Sequence, residues 1–556
     1  MTINKALIQA GLSAVSIGHE RIVQGTTCGV RRTLRASPIP KGLCPPAQGC
    51  EARATLGVGA EEIDNPNGVA ATGRGEHGRN PVGVGIVNTL FSQGSSFLAT
   101  LGFGAESRWD SLALPPIPKI RFTAFPLLLA TLLALAPAAS AKDYFVHTFK
   151  KTQLTDKFWC EGATLGDLNH DGIPDLISGP FWYEGPGFKK AHQYYPATHT
   201  FKHKKADGSM ETIEGFEGAL GVTNTYSDNF FAFVHDFNKD GWNDILIIGF
   251  PGEQTAWYEN PKGGARSWQK HVVLDQTDNE SPTFTDLTGD GKPELVCCSK
   301  GFYGYAEPDW SEPAKPWRFH HISPDNKYGK FTHGMGVGDV NGDGRLDVLE
   351  KDGWWEQPAS LEGDPVWTFH KFAFAQGGAQ MYAYDVNGDG LNDVITSFAA
   401  HGYGLVWYEQ VRNDGEITFK QHVILSTEQK PLPDKYGVTF SEIHALDLVD
   451  MNGDGLKDIV TGNRYWSHGR HGSAGPTAKA VLYWFELVRN PDKTAEFIPH
   501  LIDDDSGVGT QVVAVPRKDG HPDIVVGNKK GTFFFEHEVK KANQAEWGKA
   551  QPKLLP

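Results

Sequence analysis

A nine-residue acidic motif recurs along the chain and limits its fold more than any other feature. Asp167-Leu-Asn-His-Asp-Gly-Ile-Pro-Asp175 returns as Asp236-Phe-Asn-Lys-Asp-Gly-Trp-Asn-Asp244, Asp286-Leu-Thr-Gly-Asp-Gly-Lys-Pro-Glu294 and Asp339-Val-Asn-Gly-Asp-Gly-Arg-Leu-Asp347. Asp385-Val-Asn-Gly-Asp-Gly-Leu-Asn-Asp393 and Asp450-Met-Asn-Gly-Asp-Gly-Leu-Lys-Asp458 complete six clear copies. A seventh, Val515-Pro-Arg-Lys-Asp-Gly-His-Pro-Asp523, keeps only its second half. Successive starts lie 69, 50, 53, 46, 65 and 65 residues apart. Repetition on this scale marks an architecture assembled from one supersecondary unit.

Each unit continues in the same way. A β-branched apolar run follows the loop, as in Asp175-Leu-Ile-Ser178 and Asp458-Ile-Val-Thr461. An aromatic pair and Glu come next, for example Trp257-Tyr-Glu259, Trp354-Trp-Glu356 and Trp407-Tyr-Glu409. A last segment carries a central His: His271, His320, His370, His422 and His500. Four short strands per unit, repeated seven times, predict an all-β fold, a seven-bladed β-propeller over residues 142–556. The seventh unit has no clear His-bearing strand after Phe533-Phe-Phe-Glu536, whereas Tyr144-Phe-Val-His147-Thr-Phe149 has that character. The N-terminal strand of the mature chain is therefore expected to complete the last blade and close the ring. With 64 Gly, 11% aromatic and 21% charged residues, the composition excludes a coiled coil, a collagen and a disordered chain.

The spacing D-x-[NT]-x-D-G-x-x-[DE] has the chemistry of a calcium loop, with side-chain oxygens at positions 1, 3, 5 and 9. The predicted ligands are Asp167, Asn169, Asp171 and Asp175 in the first loop, and Asp236, Asn238, Asp240 and Asp244 in the second. They are Asp286, Thr288, Asp290 and Glu294 in the third, where Thr288 weakens the set, and Asp339, Asn341, Asp343 and Asp347 in the fourth. Asp385, Asn387, Asp389 and Asp393 form the fifth set, and Asp450, Asn452, Asp454 and Asp458 the sixth. Up to six calcium ions are expected, and Val515 with Arg517 should abolish binding in the seventh copy. The same spacing also suits Asx turns that need no ion. At these residues the chain resembles the FG-GAP/VCBS repeat family, whose calcium-loop propellers include integrin α-subunit heads. The resemblance implies fold and calcium; members bind ligands, recognise sugars or act on them, and fold alone does not choose.

The region ahead of the repeats reads differently. Residues 1–118 mix Gly, Ala, Arg and Pro without sustained periodicity, as an extension outside the fold. Lys119 and Arg121, the apolar run Phe125–Ala136 and Ala139-Ser-Ala141 then form the three parts of a secretory signal peptide over 119–141. A start placed too far upstream would account for its internal position. Secretion, or export to the periplasm or cell envelope, is the expected localisation, with no membrane span after cleavage. Residues 1–141 carry a balance of +4 and the rest −19, within a net charge of −15. A broad grip on nucleic-acid phosphates is excluded on that sign. Cys28, Cys44, Cys50, Cys160, Cys297 and Cys298 show no spacing of a disulfide framework.

Function is sought where the units differ at one register. Six residues upstream of the loop starts lie Glu161, Phe230, Glu280, His333, Ala379, His444 and Gly509. Glu161, Glu280, His333 and His444 are predicted to converge at one mouth of the axis, as general acid and base or as ligands of a single transition metal. Asp228, Gln380, Tyr382, Glu442 and Gln511 are the expected ligand-binding neighbours, with Lys529, Lys530, His401, Tyr403, Arg464, His468 and His471 on a rim and Trp466 and Tyr382 as aromatic platforms for sugar rings. The repeated His residues belong to the scaffold on this reading. A polar, water-filled channel is the structural alternative.

Glu442-Ile-His444 running into Asp450-Met-Asn-Gly-Asp-Gly455, with Trp257-Tyr-Glu-Asn260, also resembles the propeller part of fungal aldos-2-ulose dehydratase. That resemblance implies elimination of water from keto-sugars, without the cupin domains of that enzyme. The expected function is thus a secreted, calcium-stabilised propeller that binds carbohydrate or a cell-surface protein at its central funnel. The alternative is a carbohydrate-active enzyme, a sugar dehydratase or polysaccharide lyase working by β-elimination through the axial His/Glu site.

Overall fold

A computed structural model describes residues 143–197, 200–204, 207–214, 226–264, 267–467, 474–475 and 478–555. The chain divides into two units, Met1–Leu127 and Leu128–Pro556, and every described residue falls in the second. The extension at 1–118, the signal peptide at 119–141, His468 and His471 lie outside the described residues. Among the described residues, no helix is long and apolar enough to cross a membrane.

Each repeat folds as a four-stranded antiparallel meander whose first strand runs into the acidic loop. In the first repeat the strands are Ala163–Gly166, Asp175–Ser178, Phe181–Tyr183 and Ala191–Gln193. The second and third open with Phe231–His235 and Thr283–Thr285, the sixth with Leu446–Val449. The last sheet holds Val512–Pro516, Pro522–Asn528 and Gly531–Ala542, with the N-terminal strand Tyr144–Thr155 hydrogen-bonded along its outer edge. An extra hairpin, Thr200–Lys204 with Met210–Glu214, is inserted after the first repeat.

The expected seven separate blades require correction. Five four-stranded blades stand apart, while the fourth and fifth repeats share one eight-stranded sheet. Their first strands, Met335–Gly338 and Gln380–Tyr384, pair in parallel through Met335 with Gln380 and Gly336 with Met381. Gly336 permits this approach, because a Cβ there would lie 1.8 Å from the Met381 carbonyl oxygen.

Apolar clusters fill the spaces between neighbouring sheets. Ile395, Trp407, Ile459 and Phe485 join the fifth and sixth repeats, and Phe237, Trp257, Leu295 and Trp317 the second and third. Cys160, Leu176, Tyr183 and Val525 form a cluster between the first and last sheets, with Leu154 of the N-terminal strand packed on it. Cys160, Cys297 and Cys298 are buried free thiols.

Polar staples recur with the same period. The carboxylate at loop position 9 is buried in all six full copies. Asp347 accepts the Val340 N–H at 2.8 Å and the Gln357 N–H at 2.9 Å, tying the loop to the end of the third strand. Asp393 does the same with Val386 and Gln410, and Asp458 with Met451 and Leu487. Gln357 and Gln410 then reach across to the preceding repeat, donating to the Leu287 and Val340 carbonyls at 2.8 Å. Buried amide donors matched in this way fix one blade against the next.

The repeated His completes the scaffold. His271 stacks on Trp257 at 4.3 Å and lies 2.9 Å from Glu259; His370 stacks on Trp354 at 4.1 Å and lies 2.6 Å from Glu356. His422 and His500 repeat the arrangement on Trp407 with Glu409 and Trp484 with Glu486. The aromatic–aromatic–Glu motif thus supplies both a stacking plane and an anion for the neighbouring strand's imidazole. His192, on Trp182 with Glu184, is a member that the sequence pattern left out.

Candidate functional site

Register places the site at the end of the first strands opposite the acidic loops. Glu161, Glu280, His333 and His444 all stand two or three residues ahead of a first strand. Arg464 follows the strand Asp458–Gly462, His401 lies in the turn after Asp393–Ser397, and Lys529 lies in the turn between the last two strands. These segments come from different repeats and converge.

Arg464 is the hub. Its Nε donates to Glu161 Oε2 at 2.9 Å and its Nη1 to Glu280 Oε2 at 3.2 Å, with all three side chains at most 4% exposed. The sixth repeat therefore bridges the first and third across the centre. Burial opposes charge on Arg464, but the two carboxylates outweigh it and raise its pKa further. Burial would also raise Glu280, yet the neighbouring His333, 3.5 Å away, and the charges of Arg464 and His401 hold it at about 2. Lys529, donating to the Trp466 and Ser467 carbonyls, is pushed down to about 8 by burial, with Glu161 opposing and Arg464 adding to the fall.

Three imidazoles lie beside this hub. His333, His401 and His444 bring one ligand nitrogen each within 4.8 Å of one another. Burial, then Arg464, His401 and His333, holds His444 well below its ordinary pKa, so its ring is neutral. Glu442 Oε2 lies 3.9 Å from Nδ1 of both His401 and His444 and accepts the Ser467 hydroxyl. Glu442 and Trp466 adopt φ of 61° and 57°, a left-handed conformation that is costly for non-glycine residues and concentrates at functional sites. The backbone holds this bend: Glu442 N–H donates to Gly402, and Arg464 N–H to the Glu442 carbonyl.

A cleft of about 500 Å³ opens next to His401, lined by Gln376, Gly377, Tyr403, Thr427, Glu428 and Gln429 among others. Amide, hydroxyl and carboxylate groups share these walls with Ala399, Ala400 and Ala474.

Other predicted neighbours serve the scaffold. Gln380 donates to the Thr510 carbonyl at 3.0 Å and accepts the Leu446 N–H at 2.8 Å. Gln511 exchanges two hydrogen bonds with the Ala232 backbone, and Tyr382 donates to the Leu446 carbonyl. They cross-link first strands near the axis, where polar groups were expected to meet a ligand. Asp228 is exposed and lines a different cleft with Tyr195, Phe250 and Glu253. His401 and Arg464, named in the sequence only as rim residues, are central. The signal for Arg464 was present as a charged residue directly behind a buried strand.

The acidic loops form a second candidate centre. Asp339 accepts N–H groups from Gly342, Asp343 and Gly344, while Asn341 and Asp343 cap the following residues. Among the described residues, Asp286, Asp290 and Glu294 bring three carboxylate oxygens within 4.8 Å. In this loop Thr288, expected to weaken the set, donates to Glu294 at 3.4 Å. In the seventh copy Arg517 stands at position 3 with its guanidinium 3.2 Å from Asp523. A built-in cation there fits loops whose other six copies carry three carboxylates each.

The family of FG-GAP-like repeats matches residues 236–297 and 385–461, which include four of the six full acidic loops. No curated protein matches the chain. Among solved structures, BBS1N, from a crystal structure of its complex with ARL6DN soaked with mercury, is similar at 11% identity. The match covers 58% of this chain and 93% of that one at a TM-score of 0.30, too low to bear on fold or function.

Proposed function

We propose that this FG-GAP-repeat propeller is an exported, calcium-stabilised module that binds carbohydrate at the mouth of its central funnel. The cleft beside His401 carries the reading. Its Gln376, Tyr403, Thr427, Glu428 and Gln429 side chains offer an aromatic face and several hydrogen-bonding groups to a polyhydroxylated ligand. Export rests on the leader read at 119–141, and ring closure on the pairing of Tyr144–Thr155 with the last strand.

Calorimetry against a panel of polysaccharides tests the ligand class. Tyr403→Ala and Gln376→Ala are each expected to weaken binding roughly tenfold, a loss of about 1.4 kcal/mol. Affinity unchanged in both variants, or capture of a protein but no glycan, overturns the carbohydrate reading. Glu442, beside two imidazoles in a constrained backbone, favours a second reading in which the bound sugar undergoes elimination with a carboxylate or imidazole as base. Formation of an unsaturated product in the same incubations separates turnover from binding.

Calcium would be held at positions 1, 3 and 5 of each full loop, with position 9 from the buried strand end, and would supply charge neutralisation there. Asp339→Ala is expected to lower the melting transition with calcium present and to change it little in chelator. Equal losses in both conditions would assign that loop to an ion-free turn.

A further inference from the structure

Resting on the funnel as the ligand site, we infer that His333, His401 and His444 form a three-imidazole site for a borderline divalent transition metal such as zinc. Of the four axial residues expected from the sequence, Glu161 and Glu280 are held by Arg464, and Glu280 Oε2 lies 3.5 Å from His333 Nε2 at the border of the imidazole group. His401 takes the third place, and ligand nitrogens of the three rings fall within 4.8 Å of one another.

The ring chemistry suits metal binding. His333 Nδ1 lies 2.7 Å from the Phe331 carbonyl, which can only accept, so Nδ1 carries a proton and Nε2 is the nitrogen left to serve as ligand. Such a carbonyl lock on the distal nitrogen is the usual support of a ligating imidazole. His333 Nε2 is buried and has no hydrogen-bond partner among the described residues; Glu280 Oε2 is 3.5 Å away. Glu442 Oε1 is likewise buried without a partner among the described residues, its side chain 2% exposed. These are buried polar atoms beside the imidazole group that no described residue satisfies.

Charge agrees. Glu161, Glu280 and Glu442 are three carboxylates against the two cations Arg464 and Lys529, leaving the centre one positive charge short of balance when the imidazoles are neutral. Three neutral nitrogens select zinc, cobalt or a similar ion over calcium, which prefers oxygen. His401 borders the open cleft, so a fourth position facing it would meet an oxygen of the bound sugar.

The test strips the purified protein with chelator and titrates it with cobalt(II) in excess calcium, which holds the acidic loops. About one equivalent with the visible absorption of an imidazole-ligated cobalt centre is expected. That absorption should vanish in His401→Ala and His444→Gln and persist in the scaffold variant His271→Gln. His401 has a side chain 43% exposed in a turn, so its removal leaves the fold intact, verified by an unchanged melting transition. No stoichiometric uptake, or uptake unchanged in His401→Ala, overturns the site. Glycan affinity measured on the stripped and loaded protein is a separate readout: uptake without sugar binding sustains the metal site and removes the carbohydrate reading.

Discussion

Deleting Asp143–Lys150 is expected to lower the melting transition by roughly 5 °C and to make the protein associate. The strand Tyr144–Thr155 pairs with Gly531–Ala542 from Tyr144 opposite Ala542 to Thr155 opposite Thr532. Phe149 packs on the cluster between the sixth repeat and the last sheet, and Tyr144 lies 5.2 Å from Trp547 of the C-terminal helix. Losing these partly buried side chains removes about 3–5 kcal/mol of apolar burial. A loss of that size is a large fraction of ordinary domain stability, and in a large domain it corresponds to the shift stated. The deletion also bares the edge of the strand Gly531–Ala542 as a template for pairing with another copy.

Acid acts on the same seam. His147 Nδ1 and His537 Nε2 are 3.0 Å apart, so one donates to the other and a second proton would set two cations in contact. Burial, with His521 and His500 adding and Glu486 opposing, lowers His147 to about 4. Burial, then His147, His521 and Arg517, lowers His537 to about 3. Between about pH 6.5 and 4 the unfolded chain binds more protons at these rings than the folded one, so stability falls as pH falls through that window. Calorimetric melts should show a shallower fall in His537→Gln than in the parent. Identical slopes, or a deletion variant melting with the parent, would refute the role given to this strand.

The sequence was most legible where geometry repeats. A six-residue offset from each acidic loop located the starts of the first strands, because a short strand between fixed turns leaves no slack in register. The recurring His and aromatic–Glu motifs were legible as scaffold for the same reason. Non-local approach was not legible. Gln380, Tyr382 and Gln511 occupy polar axial positions, but only the closeness of first strands from different repeats reveals that they bond to the backbones of Leu446, Thr510 and Ala232. The shared sheet of the fourth and fifth repeats had a faint signal in the shortest spacing, 46 residues, and in Met335-Gly-Val-Gly338. Whether a small residue marks a turn or a strand contact is decided by a neighbour far along the chain, here Met381.

Arg464→Met is expected to destabilise the protein by about 3–5 kcal/mol and to abolish ligand binding, the second large effect. The substitution keeps the length of the side chain and its packing against Phe230, whose ring lies 5.6 Å from the guanidinium carbon. It removes the only counter-charge hydrogen-bonded to both Glu161 and Glu280 among the described residues, and these carboxylates are 1% and 3% exposed. Two buried anions then lose the counter-charge that they share. Arg464→Lys should rescue little, because one ammonium cannot reproduce two diverging N–H groups that reach carboxylates on separate repeats. Neutralising the partners should rescue much: Glu161→Gln with Glu280→Gln in the Arg464→Met background removes the stranded charge. Denaturant melts of the single and triple variants measure the difference. Recovery of stability without recovery of glycan binding would identify the triad as the element that shapes the ligand site. An Arg464→Met protein as stable as the parent would show that the centre is wet enough to solvate both carboxylates, and the buried-hub account would fall.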